Sequence, residues 1–512
     1  MKMSRIGLAV GLLAGAFALP SGAAAQQDSA RAVLEQAAEA MGGLERLQGL
    51  DTIVLTGFGQ RVYYQGGGFL TGDKHAPPKW QAVTDAQRTF DLQGERALNQ
   101  ERRAFEFPFA GLFGLDFARS ATLQTGDLLL DHPLPALLEA LDAETQLGAV
   151  STEDGLIVVQ FTPEGATSPA SLGIDPRTHL PAFSRWTTGS ANLGDLTTTA
   201  WFTGYAPFAS VQLPMGLMNE LDWRNQVSLM FQVDSYRVDA AAAELPAFPA
   251  PAQSAAPGGA AQARAQVEKV ADGVWDVRVA GAGGAVIEFA GRLVMFEAYG
   301  GEAETLARID AANALVPGKQ VEAVIVSHHH FDHTGGLRAA VSRGLEVISH
   351  RGNEGIIREM VGRLAVLYPD ALAASPHELE FTPVDEKLVL ADATRRLEIY
   401  RVVEHGHMPN AVFAYLPAER ITLEGDLGDE AWQLHWWGSA LAANIAHYAI
   451  DPQTNIAVHG SGPLSIAQTL ANTQAQVDAA VEYCRTTEQG GRYVQGCPVQ
   501  YDSRGLRPLT PR

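Results

Sequence analysis

The stretch VEAVIVSHHHFDHTGG, residues 321–336, decides the fold of the second half of the chain. Residues 321–326 form a short, β-branched apolar run, which is typical of a fully buried parallel strand. The run ends in Ser327 and three histidines, so the chemically active groups lie on a loop at the end of a strand. Four candidate metal ligands fall within six residues of this loop: His328, His330, Asp332 and His333.

Further candidate ligands follow other apolar segments later in the chain. After LEIYRVV comes EHGHMPN, which contains His405 and His407. The segment ITLE precedes Gly425-Asp426-Leu427, and IAV precedes His459. A histidine-rich surface tract is the alternative explanation, but imidazoles and carboxylates beside buried strands are costly to desolvate without an ion. The ordered recurrence therefore favours a metal site.

This ordered set of motifs resembles the metallo-β-lactamase superfamily over roughly residues 266–470, through the pattern His-x-His-x-Asp-His, Gly-His, Gly-Asp and a last His. The resemblance implies two metal ions, the first held by His328, His330 and His407, the second by Asp332, His333 and His459, with Asp426 bridging both. His329 falls on a variable position and His405 is two residues early, so we expect neither to be a ligand. One departure is Glu297, where the family commonly has Asp.

The resemblance also implies hydrolysis by a metal-bridging hydroxide, with Asp332 orienting the nucleophile or accepting its proton. A ligand set of imidazoles and carboxylates without thiolate favours Zn²⁺, with iron or manganese as alternatives. A Cys in place of Asp426 would indicate the best-known lactamases. With Asp at this position, the chain instead resembles the hydrolases that act on esters, thioesters and lactones. The alternatives are a β-lactam hydrolase, an iron oxidoreductase of the same fold and a lipid-like ligand-binding protein.

Residues 1–25 have the features of a signal peptide. Lys2 and Arg5 precede an apolar run, and Ala23-Ala24-Ala25 supplies small residues before the expected cleavage site. The run is short for a membrane span, and no later stretch reaches about 18 uninterrupted apolar residues. We therefore expect a periplasmic or secreted protein that is not an integral membrane protein. In an oxidising compartment, Cys484 and Cys497 can form a disulfide.

Composition and charge indicate a globular protein of two domains. The chain has 512 residues, 46% of them hydrophobic, which is ample for two cores. Its net charge of −21 disfavours binding to nucleic acid. The expected partner is therefore a small-molecule substrate, and one interpretation of the sequence makes this substrate apolar. Residues 246–265 are rich in Pro, Ala and Gly and predict a linker between domains at 26–245 and 266–512. We expect the halves to fold independently, with the metals in the second.

The first domain is predicted to be mainly antiparallel β-structure. A helix ending at Gly42-Gly43 and a second helix in DHPLPALLEALDA accompany many short stretches of alternating hydrophobicity. The segment MGGLERLQGLDTIVLTGFG and the turn from Asp175 to Pro181 loosely resemble periplasmic lipoprotein-carrier proteins. That resemblance implies a half-barrel-like sheet able to hold an apolar chain, and an accessory sheet that positions the enzyme is the alternative.

In the second domain, strands alternate with helices, which together with the resemblance predicts an α/β fold of the αββα type, two sheets sandwiched between helices. Between Asp426 and His459, the residues Trp432, His435 and Trp436 share one face of a predicted helix. Two interpretations stay open for this face: an aromatic rim that binds an apolar substrate beside the metals, or helix packing against the sheet.

Overall fold

A computed structural model describes most of the chain: residues 21–64, 66–105, 120–241, 245–249, 264–403, 405, 408–428, 439–460 and 462–489. Residues 1–20 of the predicted signal peptide and residues 250–263 of the predicted linker lie outside these ranges, so both segments stay predictions. The same holds for the predicted disulfide. Within the described ranges, no helix has both the length and the apolarity needed to cross a bilayer.

The first domain consists of an antiparallel sheet and three short or medium helices among its described residues. The helices are α1 (Ser21–Met41), α2 (Leu44–Gln48) and α3 (Pro133–Leu141), with a 3-10 turn at Gly126–Leu129. The strands are β1 (Thr52–Val62), β2 (Trp80–Asp91), β3 (Arg96–Phe105), β4 (Ser120–Thr125), β5 (Gln146–Glu153), β6 (Leu156–Thr162), β7 (Ala170–Ile174), β8 (Pro181–Ser190), β9 (Gly194–Thr203), β10 (Ala206–Phe208), β11 (Val211–Leu213), β12 (Gly216–Leu221) and β13 (Gln226–Val238).

The main sheet of this domain, as far as the chain is described, has eleven strands in the order β4-β3-β2-β1-β13-β12-β9-β8-β7-β6-β5. Strands near both ends of this order contribute apolar side chains to one buried cluster that also contains Leu34 of α1 and Leu137 of α3. The sheet therefore curves around the two helices. This confirms the predicted antiparallel architecture and both predicted helices, and α1 ends at Met41, directly before Gly42-Gly43. The likeness to lipoprotein carriers stays a prediction.

The second domain begins with a sheet in which four antiparallel strands lead into parallel ones. In the described chain its seven strands follow sequence order: β14 (Gln266–Ala271), β15 (Val274–Val279), β16 (Ala282–Glu288), β17 (Leu293–Phe296), β18 (Val321–Ile325), β19 (Glu346–His350) and β20 (Phe381–Val384). The accompanying helices are α4 (Glu302–Leu315), α5 (Phe331–Thr334), α6 (Leu337–Ser342), α7 (Glu354–Gly362) and α8 (Ala371–Ala374), with a 3-10 turn at Arg351–Asn353.

The second sheet also follows sequence order, with six strands in the described residues: β21 (Lys387–Ala391), β22 (Arg396–Arg401), β23 (Val412–Leu416), β24 (Ile421–Glu424), β25 (Thr454–Ala457) and β26 (Leu464–Ser465). Helices α9 (Ala440–His447) and α10 (Ile466–Gln489) pack on its outer face through side chains such as Leu441 and Leu470. The inner faces share one apolar cluster, in which Ile325 of β18 and Ile399 of β22 are fully buried. The predicted αββα sandwich is confirmed.

The two domains share a hydrophobic cluster. Phe69, Leu193 and Trp223 of the first domain are buried in the same cluster as Leu337 and Ile356 of the second. Ion pairs surround this contact, including Arg224–Glu359 at 2.7 Å and Arg363–Asp222 at 2.9 Å. Each domain also has a buried cluster of its own, so the shared cluster is an interface between two cores, and independent folding of the halves stays a prediction. The linker boundary itself stays a prediction.

Candidate metal centre

The candidate ligands meet because the strands that carry them end at one edge of the sandwich. Strand β18 pairs in parallel with β17 and β19, and its end leads directly into the histidine-rich loop. In the other sheet, β24 and β25 are parallel to each other, and they end beside Asp426 and His459. Parallel strands deliver the residues that follow them to the same edge of a sheet. The candidate ligands that follow these strands therefore lie at one edge of the sandwich.

Two glycines allow this close approach. A Cβ on Gly425 would lie 2.4 Å from the Ser327 hydroxyl, and a Cβ on Gly336 would lie 1.7 Å from the Thr305 hydroxyl. Neither position has room for a side chain. Gly425 therefore lets the end of β24 lie against His328, and Gly336 lets the loop after β18 turn tightly onto α4.

Asp332, His333 and His459 form one compact group of potential ligands. The Asp332 carboxylate lies 3.7 Å from His333 Nε2 and 3.6 Å from His459 Nε2, and the two imidazole nitrogens are 3.2 Å apart. Asp426 Oδ1 adjoins the same group, at 3.0 Å from His333 and 3.2 Å from His459. This is the set that the sequence assigned to a second metal.

His328, His333 and Asp426 form a second group, with ligand atoms within 4.8 Å of one another. His328 Nε2 lies 3.5 Å from Asp426 Oδ2, and His330 Nδ1 lies 4.0 Å from the same oxygen. Asp426 therefore lies between the two groups, as a bridging ligand must. His333 also adjoins both groups, which the sequence pattern did not predict. His407 lies outside the described residues, so its place in the first site stays a prediction.

The charges in this cluster oppose one another strongly. Burial raises the pKa of Asp332; His333 and His459 lower it, Asp426 raises it, and the net shift is upward. Burial lowers the pKa of His333, but the carboxylates of Asp426, Asp332 and Glu297 outweigh burial and raise its pKa well above the usual value. Several carboxylates thus act on one buried imidazole, where a cation relieves their repulsion.

Residues behind the ligands fix their orientation. The Ser327 hydroxyl is hydrogen-bonded to His328 Nδ1 at 2.8 Å, so Nε2 faces the cluster. Glu297 is fully buried, accepts a hydrogen bond from Ser327 N at 3.1 Å and lies 3.4 Å from His333 Nδ1. Tyr299 packs edge-on against both His333 and His459. Glu297, where the family has Asp, therefore supports two parts of the ligand loop.

The strand ends of the second sheet are also anchored. The Arg278 guanidinium donates to the carbonyl of Ala457 at 2.7 Å and of Gly460 at 3.0 Å, on both sides of His459. Glu424 accepts from Leu427 N at 2.8 Å and so closes the turn that presents Asp426. His405 Nε2 lies 3.3 Å from the Asp426 carbonyl. His405 thus contacts the backbone of a candidate ligand, and its exclusion from the ligand set stays a prediction.

The first domain also contributes groups that contact the histidine-rich loop of the candidate metal centre. Lys79 Nζ lies 2.8 Å from His330 Nε2 and donates to the Gly66 carbonyl at 2.8 Å. His329 is fully buried, and its Nε2 lies 3.3 Å from the Phe69 carbonyl. The expectation that His329 is not a ligand stays a prediction. The histidine-rich loop after β18 is therefore packed between the two domains.

Two titratable groups of the first domain respond to this environment. Burial lowers the pKa of Lys79 to about 7, although Asp426 and Asp332 favour its charged form. Burial raises the pKa of Tyr63, and the carboxylates of Asp332 and Asp426 raise it further. Sequence reasoning missed both residues. Lys79 stands in the turn-like segment HAPPKW, and no local pattern relates it to a loop some 250 positions later.

The residues present fit a metal centre. Asp332 Oδ1 is buried and makes no hydrogen bond within the described part of the chain. Imidazole nitrogens and carboxylate oxygens, without thiolate, are the donors that Zn²⁺ and other borderline ions accept. The aromatic face with Trp432, His435 and Trp436 lies outside the described residues, so neither of its two interpretations is decided.

Comparisons with known proteins find one family match and similar solved structures. The family model of the metallo-beta-lactamase superfamily matches residues 285–428, which include the candidate ligands from His328 to Asp426. A metallo-beta-lactamase from Pontibacter korlensis and the DIM-1 metallo-beta-lactamase, solved after exposure to ceftazidime, are similar structures. Each is 16% identical, covers 42% of this chain and 98% of its own, and superposes with a TM-score of 0.32. No curated protein matches the chain significantly.

Proposed function

Since residues 285–428 carry a metallo-β-lactamase superfamily domain, we propose that the protein is an exported, dinuclear metal-dependent hydrolase. Its substrate would contain an ester, thioester, lactone or related bond. One observation carries the proposal: His333 and His459, which follow strands of different sheets, each lie within 3.7 Å of both the Asp332 and the Asp426 carboxylates. No purely structural role requires this density of buried ionisable groups.

The ligand assignment follows the sequence motifs. His328, His330 and His407 would hold one ion, Asp332, His333 and His459 the other, and Asp426 both. Bound metals would supply a water of lowered pKa and would polarise the substrate carbonyl. Zn²⁺ is the ion that this donor set favours, with iron or manganese as alternatives.

The chain's own residues would perform the remaining tasks. Asp332 would orient the attacking water through Oδ1, which has no hydrogen-bond partner in the described chain, and would accept its proton. Tyr299, packed edge-on against two imidazoles, would keep these rings in place and limit solvent access from that side. Ser327 and Glu297 would hold His328 and His333 in the tautomers that ligation needs.

The test is metal analysis of the mature, periplasmically expressed protein, combined with a hydrolysis screen over esters, thioesters, lactones and β-lactams. We expect about two ions per chain and turnover in one of the first three classes. His333→Ala should lose the ion held with Asp332 and His459 and at least about 1000-fold in kcat/KM, because it removes several kcal/mol of transition-state stabilisation. His377→Ala, an exposed histidine on another loop, is the matched control.

Other outcomes of the same experiment decide between the alternatives. Turnover of β-lactams alone would identify a lactamase. Bound iron with oxygen consumption and no hydrolysis would indicate an oxidoreductase. Two bound ions without turnover of any substrate class would support a ligand-binding role, and a wild-type protein that binds no metal would refute the proposal. Cleavage after residue 25, detected by N-terminal sequencing, would test export.

A further inference from the structure

Several polar groups of the first domain contact the histidine-rich loop after β18. The Phe69 carbonyl lies against His329, Asn192 Nδ2 donates to Thr334 Oγ1 at 2.8 Å, and Lys79 reaches His330. The first two contacts involve residues between or after the ligands. The contact of Lys79 differs, because it is made to the ring of a candidate ligand itself.

Lys79 is held rigidly where it lies. Its backbone N–H donates to the Gly68 carbonyl at 2.9 Å, and its own carbonyl accepts from Tyr63 N at 2.9 Å. The residue has no solvent exposure. A fully buried lysine is rare and costs free energy of desolvation, so its presence indicates a role for the amino group rather than for the aliphatic chain.

The contact also determines which nitrogen of His330 is available. Nε2 of this ring is 2.8 Å from Lys79 Nζ, whereas Nδ1 points towards Asp426, 4.0 Å from Oδ2. Ligation through Nδ1 requires the ring proton on Nε2, which then donates to the amine of Lys79, while Nδ1 faces the cluster. A partner on the distal nitrogen is the usual way in which a protein fixes the orientation of a ligating imidazole.

On the basis of the proposed function, we propose that Lys79 is a positioning residue for the metal centre, supplied by the first domain to orient His330 for ligation through Nδ1. The first domain is then a structural part of the first metal site. It contributes one wall of the centre and the residue that orients a ligand, so a role confined to substrate delivery or localisation does not describe it.

The test uses the full mature chain and three variants. Lys79→Met keeps the length and removes both polar contacts, and Lys79→Gln keeps a group able to bond both Gly66 O and His330. Glu359→Gln weakens the ion pair with Arg224, at the same domain interface but away from the ligands, and is the matched control. Zinc affinity is measured by competition with a chelator, and the visible spectrum of the Co²⁺-substituted protein reports the geometry of the first site.

We expect Lys79→Met to bind the first-site ion about 10- to 100-fold more weakly, the range typical for loss of a residue that orients a ligand. Its Co²⁺ spectrum should change, and Lys79→Gln should restore part of both properties. Glu359→Gln should keep the affinity and the spectrum of the wild type. Circular dichroism of each apo-protein establishes that the variant is folded.

An unchanged affinity and spectrum in folded Lys79→Met, with two ions bound to the wild type, would overturn the positioning role and leave the proposed hydrolase intact. A wild type without metal would instead refute the proposed function. If Lys79→Met does not fold, Gly66→Ala decides: its Cβ would lie 2.5 Å from the Tyr63 ring and 3.4 Å from Lys79 Nζ. It should displace the amine and lower first-site affinity, and unchanged affinity would overturn the proposal.

Discussion

Asn192, in the turn between β8 and β9, donates its side-chain amide to Thr334 Oγ1 at 2.8 Å and to the Phe331 carbonyl at 3.0 Å. Thr334 Oγ1 in turn donates to the His330 carbonyl at 2.8 Å. A buried chain of hydrogen bonds therefore runs from the first domain to the backbone of a candidate ligand. The two domains are joined at the place where the chemistry is expected.

Asn192→Ala should destabilise the protein by about 1–3 kcal/mol, because it removes two buried hydrogen bonds and leaves the Phe331 carbonyl without this donor. The shift of the urea midpoint of the full chain measures this. Asn472→Ala, on α10, should change the free energy of unfolding by no more than about 0.5 kcal/mol. Equal midpoints for wild type and Asn192→Ala would contradict the structural importance of this contact.

Glu297→Ala should weaken metal binding about 10- to 100-fold, since it deprives His333 of its carboxylate neighbour and Ser327 N of its acceptor. Glu297→Gln keeps a hydrogen-bond acceptor, so its affinity for zinc should lie between those of Glu297→Ala and the wild type. Isothermal titration with Zn²⁺ of chelator-treated protein measures both. If Glu297→Ala binds zinc as tightly as the wild type, the carboxylate has no part in ligand orientation.

Removal of metal should lower the melting temperature. A ligand that binds only the folded protein stabilises it by about 2.7 kcal/mol when its concentration is 100-fold above Kd. Thermal unfolding of the wild type with chelator, and then with excess Zn²⁺, should therefore show a rise in melting temperature that is smaller in His333→Ala and is retained in His377→Ala. The same rise in His333→Ala would mean that zinc binds elsewhere.

Acidification should destabilise the first domain through His132. This side chain is fully buried; its Nδ1 accepts from Leu134 N, and Nε2 lies 3.2 Å from the Tyr236 hydroxyl. Burial, together with nearby Arg88, which is paired with Asp131, lowers the pKa of His132 well below its usual value. As the pH falls below about 6.5, His132 therefore becomes protonated in the unfolded chain but stays neutral in the folded chain.

The stability that His132 contributes is therefore complete above that pH and is lost as the pH falls towards the folded-state pKa. The free-energy difference between wild type and His132→Asn should shrink by up to about 1.4 kcal/mol per pH unit below pH 6.5. Urea unfolding at several pH values measures it, with Leu137→Ala as a core variant whose difference should stay constant. A constant difference for His132→Asn as well would contradict this linkage.

The sequence by itself determined the architecture of the second domain and most of its candidate site. Hydrophobic periodicity is a local property, so strands such as β18 and β23 and helices such as α4 could be assigned residue by residue. Candidate ligands stand after β18, β24 and β25, and parallel strands bring the positions that follow them to one edge of a sheet. Pattern and the family resemblance together thus indicated the edge at which His328, Asp332, Asp426 and His459 meet.

Hydrophobic patterning did not identify the strands in which most side chains face water. Strands β4 and β5 form the two edges of the eleven-stranded sheet, and most of their side chains are exposed or half-buried. They therefore lack the alternation that identified their neighbours. Their pairing is set by the strands beside them, which is tertiary information.

Only the tertiary structure decided how the domains meet. The pairing of Lys79 with His330 joins positions that are far apart in the chain, and neither residue carries a local signal for the other. Such a contact depends on the summed burial of Phe69, Leu193 and Trp223 against the second domain, a property of two folded surfaces. The sequence therefore indicated the candidate metal ligands through their local order, while packing between the domains placed Lys79 against one of them.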